Sequence, residues 1–194
     1  MKNCNKLIKV YVSDKKREYF ASLYRAHSKD LYHYGVSLGF TPEICLDAIH
    51  DLFCKFYTRE YNVDPKEIAF YLFRSFKNQL LDIQKSKKKE VAIADINNLP
   101  FHVKVTVVDN LIEEEERIRI KEKVERLMEL LTSRQREAVY LRYMKEMEYE
   151  EIGKLLDMNA ESVRKLVFRG IEKIRQQCGI MSLFFLLCVL ASCN

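Results

Sequence analysis

Apolar positions recur along this chain at three- and four-residue spacing in several separate blocks, the pattern of amphipathic helices. Between Lys16 and Phe40 the residues Tyr19, Phe20, Leu23, Leu31, Tyr34 and Leu38 suit one or two such helices. "GFTPE" then breaks the period. Thr41 is placed to cap a new helix, and Pro42 fits its first turn, where no backbone N–H is needed. In "EICLDAIHDLFCKFYTRE" Ile44, Ala48, Leu52 and Phe56 stand four apart on one face, with Asp47 and Asp51 exposed beside them. "YNVDP" reads as a turn, and Asp64-Pro65 opens the helix "KEIAFYLFRSFKNQLLDIQKSKKK". There Phe73, Phe76 and Leu80 share the buried side, while Arg74, Lys77, Asn78 and Asp82 face outward.

The period is lost over "EVAIADINNLPFHVKVTVVDNL", where β-branched residues, Pro100 and paired Asn indicate an extended linker. Its "VKVTVV" has strand composition, but a tether lying along a partner is favoured. Helical spacing returns in "EEEERIRIKEKVERLMELL", and "TSRQREAVYLRYMKE" begins with Thr132 and Gln135 in capping-box spacing. The expected fold is all-α: two small helical domains joined by an extended linker. Whether they sit together or apart is left open at this level.

The last block, "YEEIGKLLDMNAESVRKLVFRGIEKIRQ", holds two short helices broken at Asp157-Met158-Asn159. Ile152, Leu155 and Leu156 form the inward side of the first. Asp157 stands where the turn requires a left-handed residue, and Asn159 is a good N-cap. In the second helix Val163, Val167, Ile171 and Ile174 make the apolar face, so Arg164, Lys165, Phe168 and Arg169 point away from it. Charge sorts sharply: Lys145 to Asp157 holds two bases against five acids, and Glu161 to Arg175 holds five bases against two acids. A solubilising surface does not require that asymmetry, whereas a helix-turn-helix does. Its second helix enters the major groove of DNA, beside phosphates.

Composition agrees and narrows the classes. In 194 residues there are 5 Gly, 3 Pro and no Trp, which favours helices over a β-sandwich. The net charge of +5 permits nucleic-acid contact, and its distribution carries the argument. Six cysteines, at 4, 45, 54, 178, 188 and 193, form no C-x-x-C pair and no zinc spacing, and read as free thiols of a reducing cytoplasm. The start, "MKNCNKLIKVYVSDKK", lacks the apolar core of a signal peptide. No metal, cofactor or catalytic constellation is expected: the 4 His show no base, nucleophile or ligand grouping, and no glycine-rich phosphate loop occurs.

From "LMELLTSRQREAVYLRY" through "YEEIGKLL" to "ESVRKLVFRGIEKIR" the chain resembles region 4 of bacterial extracytoplasmic-function (ECF) sigma factors. "FASLYRAHSKDLYHYG", "DAIHDLFCKFY" and "FYLFRSFKNQLLDIQKSKKK" resemble region 2 of the same family, in the family's order. Together these cover most of residues 17 to 177. The resemblance implies region 2 over 14–90, a linker over 91–116, region 4 over 117–177 and a tail over 178–194. It implies docking on the clamp helices of core RNA polymerase through Asp47, His50, Asp51 and Phe53, although His50 and Asp51 stand where relatives usually carry Gln and Glu. It implies contacts to the minus-ten promoter element from Arg74, Lys77, Asn78, Asp82, Lys85, Lys87 and Lys88, with Lys89 adding to the phosphate-holding run. Tyr71, where many relatives have Trp, reads as core. Ser162, Arg164, Lys165, Phe168 and Arg169 match the positions that read the minus-thirty-five element. A cytoplasmic location and an anti-sigma partner, in this family membrane-bound, are further expectations, and the style of "ESVRKLVFRGIEKIR" resembles Bacteroidetes ECF sigmas. In the region 4 turn, Gly153 and Asp157 stand where Ala and Gly are commoner.

Two features lie outside that pattern. The tail "CGIMSLFFLLCVLASCN" is apolar from Ile180 to Leu190 and short of the roughly 20 residues of a membrane span. It reads as a helix extension packed over region 4's apolar surface, covering a groove used by a polymerase or anti-sigma partner; membrane association or a direct anti-sigma contact is the alternative. The alternative function is a helix-turn-helix regulator that never joins polymerase, and the region-2-like half speaks against it.

Overall fold

The computed structural model describes the backbone of residues 2–58, 64, 67–88, 99–102 and 114–192. Side chains are described for 16–58, 64, 67–86, 99–102, 115, 118–119 and 122–177. Among these residues the chain is all helical, with no strand. Three helices build the first half: α1 (Lys2–Ser37), α2 (Pro42–Thr58) and α3 (Ile68–Lys88). Four build the second: α4 (Glu114–Glu129), α5 (Ser133–Met144), α6 (Tyr149–Leu156) and α7 (Ala160–Ser192). The Lys16–Phe40 block is thus one helix, and it begins at Lys2.

The boundaries follow the local chemistry. Gly39 ends α1 at φ 86°, a conformation that costs a residue without Cβ little. Thr41 precedes α2, and its carbonyl accepts from the Cys45 N–H at 3.1 Å, the first helical bond. In α5 the Thr132 hydroxyl accepts from the Gln135 N–H at 3.3 Å, and the Gln135 side chain accepts from the Thr132 N–H at 3.1 Å, completing the capping box. Cys45, Ala48, Ile49, Leu52, Phe53 and Phe56 bury the inner face of α2. Leu72, Phe73, Phe76 and Leu80 do the same for α3.

The two halves share one continuous core. Phe101, inside the expected linker, is fully buried, and its ring lies 6.0 Å from Tyr34 and 5.4 Å from Tyr140. Arg136 fixes that segment by donating from Nη1 to the Phe101 carbonyl at 2.6 Å and from Nη2 to Leu131 O at 2.9 Å. The His102 N–H donates to Ser37 O at 2.7 Å. The described part of the linker, 99–102, is therefore packed; "VKVTVV" lies outside the described residues.

Polar contacts bridge the same seam. The Glu137 carboxylate, buried, accepts from the Tyr34 hydroxyl at 2.6 Å and from Lys77 Nζ at 2.8 Å. Burial, and then the adjacent Glu137 carboxylate, hold the Tyr34 phenol well above its ordinary pKa, so it stays a donor. Lys145, with its side chain only 8% exposed, pairs with Asp30 at 2.7 Å. These contacts correct the expectation that Lys77 faces outward. It lies in helical register with Phe73 and Leu80, and the second half supplies the partner that register demands.

Glu137→Ala strands the Lys77 ammonium in a half-buried position and weakens the closed arrangement by about 3 kcal/mol. The radius of gyration in small-angle X-ray scattering should rise, and an unchanged radius and melting temperature would contradict this. His27 and His33 flank the Asp30–Lys145 pair, and burial lowers both imidazole pKa values below 6.5, outweighing Asp30; Lys29 and Lys145 push His33 the same way, and Lys145 pushes His27. The unfolded chain thus takes up protons first, so stability is full above pH 6.5 and falls as pH drops through the depressed values. Thermal melts between pH 7.5 and 5.5 should show this fall, and His27→Gln/His33→Gln should flatten it.

Candidate nucleic-acid interface

The turn between α6 and α7 aims the exposed face of α7. Asp157 caps α6 in the left-handed region at φ 53°, ψ 48°, as its position in the sequence requires. The Met158 N–H then donates to Gly153 O at 2.9 Å, and the chain folds back so closely that a Cβ on Gly153 would stand 2.6 Å from Met158 O. That atom is backbone and cannot move aside without opening the turn. Asn159 Oδ1 accepts from the Ser162 N–H at 2.7 Å and starts α7.

One face of α7 is then anchored. Val163, Val167 and Ile174 are buried, and Ile171 packs against them from a half-buried position. On the opposite side Arg164, Lys165, Phe168 and Arg169 are all exposed, Phe168 at 66%, and Ser162 is half-buried at the start of the helix. Arg164 bonds Glu161 at 3.1 Å and lies 5.2 Å over the Tyr149 ring; Lys165 reaches Glu161 at 3.5 Å. Exposed pairs of this kind contribute little, so both cations are available to a phosphate or a base. An apolar ring two-thirds in water, flanked by two arginines, suits the methyl and acceptor edges of a major groove.

Residues 121–174 match the family model described as Sigma-70, region 4. Over 155 residues the chain is 25% identical to the ECF RNA polymerase sigma factor SigM of Bacillus subtilis (strain 168), covering 79% of this chain and 91% of that relative. The chain is an alternative sigma factor, similar over most of its length to one of the ECF type. It directs RNA polymerase to promoters, with core polymerase and promoter DNA as partners, and carries out no catalysis of its own.

The remaining residues expected from the sequence to form sites fall on the first half. Asp47, His50 and Asp51 are exposed along α2, whereas Phe53 is 7% exposed. Phe53 therefore lies at the floor of a groove rather than on its rim. The groove, lined also by Phe20, Tyr24, His50 and Tyr57, places the Tyr24 ring 5.0 Å from Phe53. Asn78 and Asp82 are exposed on α3 and open with Asp51 and Tyr71 onto a separate groove between α2 and α3. Tyr71 is half-buried, its ring 5.7 Å from Phe56. Arg74 and Lys85 are exposed, while Lys77 is held by Glu137. The side chains of Lys87 and Lys88, and all of Lys89, lie outside the described residues. The tail is helical as far as Ser192, continuous with α7, and its side chains also lie outside them. Among the described residues no helix is long and apolar enough to cross a membrane.

Glu137 and Phe101 are not singled out by the sequence reading. The signal for Glu137 was present, since it stands at i, i+3, i+4 and i+7 register with Tyr140, Leu141 and Met144, all buried. Gly153→Ala should destabilise the turn despite alanine's better helix propensity, lowering the melting temperature and weakening promoter binding together. A more stable variant would contradict the contact with Met158.

Proposed function

We propose that the two halves are the two promoter readers of this sigma factor. Residues 14–90 act as region 2, docking on core polymerase and opening the minus-ten element. Residues 91–116 are the linker, 117–177 act as region 4 on the minus-thirty-five element, and 178–194 form the tail. The observation that carries the reading is the row Arg164, Lys165, Phe168 and Arg169, exposed on a helix whose other face is buried. In that reading Arg164 and Arg169 contact guanine edges, Phe168 contacts apolar base surface, and Ser162 and Lys165 hold backbone.

On the first half, Asp47, His50 and Asp51 present polar groups beside the Phe53 groove, a surface suited to basic partners on a coiled coil. Asn78 and Asp82 meet the unpaired strand, while Arg74, Lys85, Lys87 and Lys88 track its phosphates. Lys77 joins them only after it gives up Glu137, so engagement of the minus-ten element is coupled to separation of the halves. A cytoplasmic location, an anti-sigma partner in the membrane and membership of the Bacteroidetes-like group complete the proposal, supported by the family resemblance.

Arg164→Ala and Arg169→Ala should each cost about 1–3 kcal/mol of promoter binding, concentrated at single base positions. Lys165→Ala should weaken all sequences alike and lower the salt dependence. Footprints of the reconstituted holoenzyme on a randomised promoter library test this, and normal selection by both arginine variants would remove the assignment.

A further inference from the structure

The closed arrangement creates a feature that neither half has alone. Between α3 and the α5–α6 segment lies a cleft of about 430 Å³, within the size range of small-ligand sites. Its first wall carries Arg74, Lys77 and Lys85 from α3, and its second carries Arg134 and Lys154. Two carboxylates also line it, Glu137 and Asp157, and Glu137 is already engaged by Lys77 and Tyr34. One cation of each wall is placed against the same ring: the Arg74 guanidinium lies 6.0 Å and Lys154 Nζ 5.5 Å from the centroid of Phe70. Leu155 and Leu156, both buried, back the second wall with apolar surface, which focuses the field of the charges.

Packing two cationic walls together costs repulsion that the separated halves do not suffer. We propose that this cleft binds a compact polyphosphate, a pyrophosphate or the phosphate tail of a nucleotide, and that such an anion favours the closed arrangement. The donor types match the ligand, guanidinium and ammonium groups both being suited to phosphate oxygens, and the exposed Lys85–Asp82 pair at 3.7 Å is weak enough to exchange for an anion. The Asn78 side chain, also on the lining, adds a neutral donor. An anion that touches both walls binds the closed form more tightly than the open one, and the difference shifts the population by linkage. A continuous nucleic-acid strand fits less well, because the packing of α3 against α6 encloses the space. The site shares Arg74, Lys77, Asn78 and Lys85 with the proposed minus-ten contacts, so in that reading the anion and the promoter strand compete for them, whereas Arg134 and Lys154 belong to the anion site alone.

Isothermal titration of the full-length chain with pyrophosphate at fixed ionic strength tests the site, with sulfate as the control anion. Saturation at one site per chain is expected, with a radius of gyration that stays compact. Arg134→Ala/Lys154→Ala should weaken binding roughly tenfold or more, since each removed cation forfeits a charge-assisted bond. Lys85→Ala, at an exposed position on the opposite wall, should weaken it in the same direction without loss of fold. ATP titrated in parallel separates the two sources: tighter binding than pyrophosphate assigns the site to a nucleotide, equal or weaker binding to the inorganic anion. The proposal is overturned by heats no greater than those of sulfate, or by unchanged affinity in both variants. It is equally overturned if a short single-stranded oligonucleotide binds and pyrophosphate fails to displace it.

Discussion

A carboxylate removed from water has to recover its lost hydration from neighbouring donors, and Glu137 recovers it across the boundary between the two halves. It projects from α5 but takes its hydrogen bonds from Tyr34 on α1 and Lys77 on α3. A carboxylate satisfied in this way specifies one arrangement, because a slip of either half leaves it or Lys77 without a partner. The other seam contacts agree with that placement. Phe101 fills the space between the Tyr34 and Tyr140 rings, Arg136 holds its carbonyl, and Lys145 reaches Asp30. The consequence is that Lys77 is held at the seam, with only 12% of its side chain exposed.

The region 4 turn follows a different constraint, of backbone rather than charge. Asp157 takes the left-handed conformation, Met158 then folds its carbonyl against Gly153, and Asn159 restarts the helix. With α7 anchored by Val163, Val167 and Ile174, its charged face has one orientation available. The charge asymmetry between α6 and α7 thereby gains a geometric sense. The acidic helix belongs to the support, and the basic one presents its cations to solvent.

Much of this was legible in the sequence, and the pattern of failures is informative. Helices with a single apolar stripe and a local cap were readable, because register and capping are set within a few residues: α2, the capping box of α5 and the Asp157–Asn159 turn are examples. Arg164, Lys165, Phe168 and Arg169 were readable for the same reason, since an anchored face fixes its opposite. The burial of Lys77 was not readable because its surroundings are tertiary. Lys77 was sorted by its charge, although its register with Phe73 and Leu80 put it on the inner side. The packed linker residue Phe101 was hidden in a segment without period, where only the partner surface determines burial.

Closure of the free chain, and its opening on promoter DNA, is tested most directly by the distance between the halves. Fluorophores on Lys55 of α2 and Lys173 of α7, both exposed, report it by energy transfer in a background with the native cysteines replaced. One narrow, short distance is expected in the free chain and a longer one in the holoenzyme on promoter DNA. A broad distribution in the free chain, or the same short distance in both states, would contradict it.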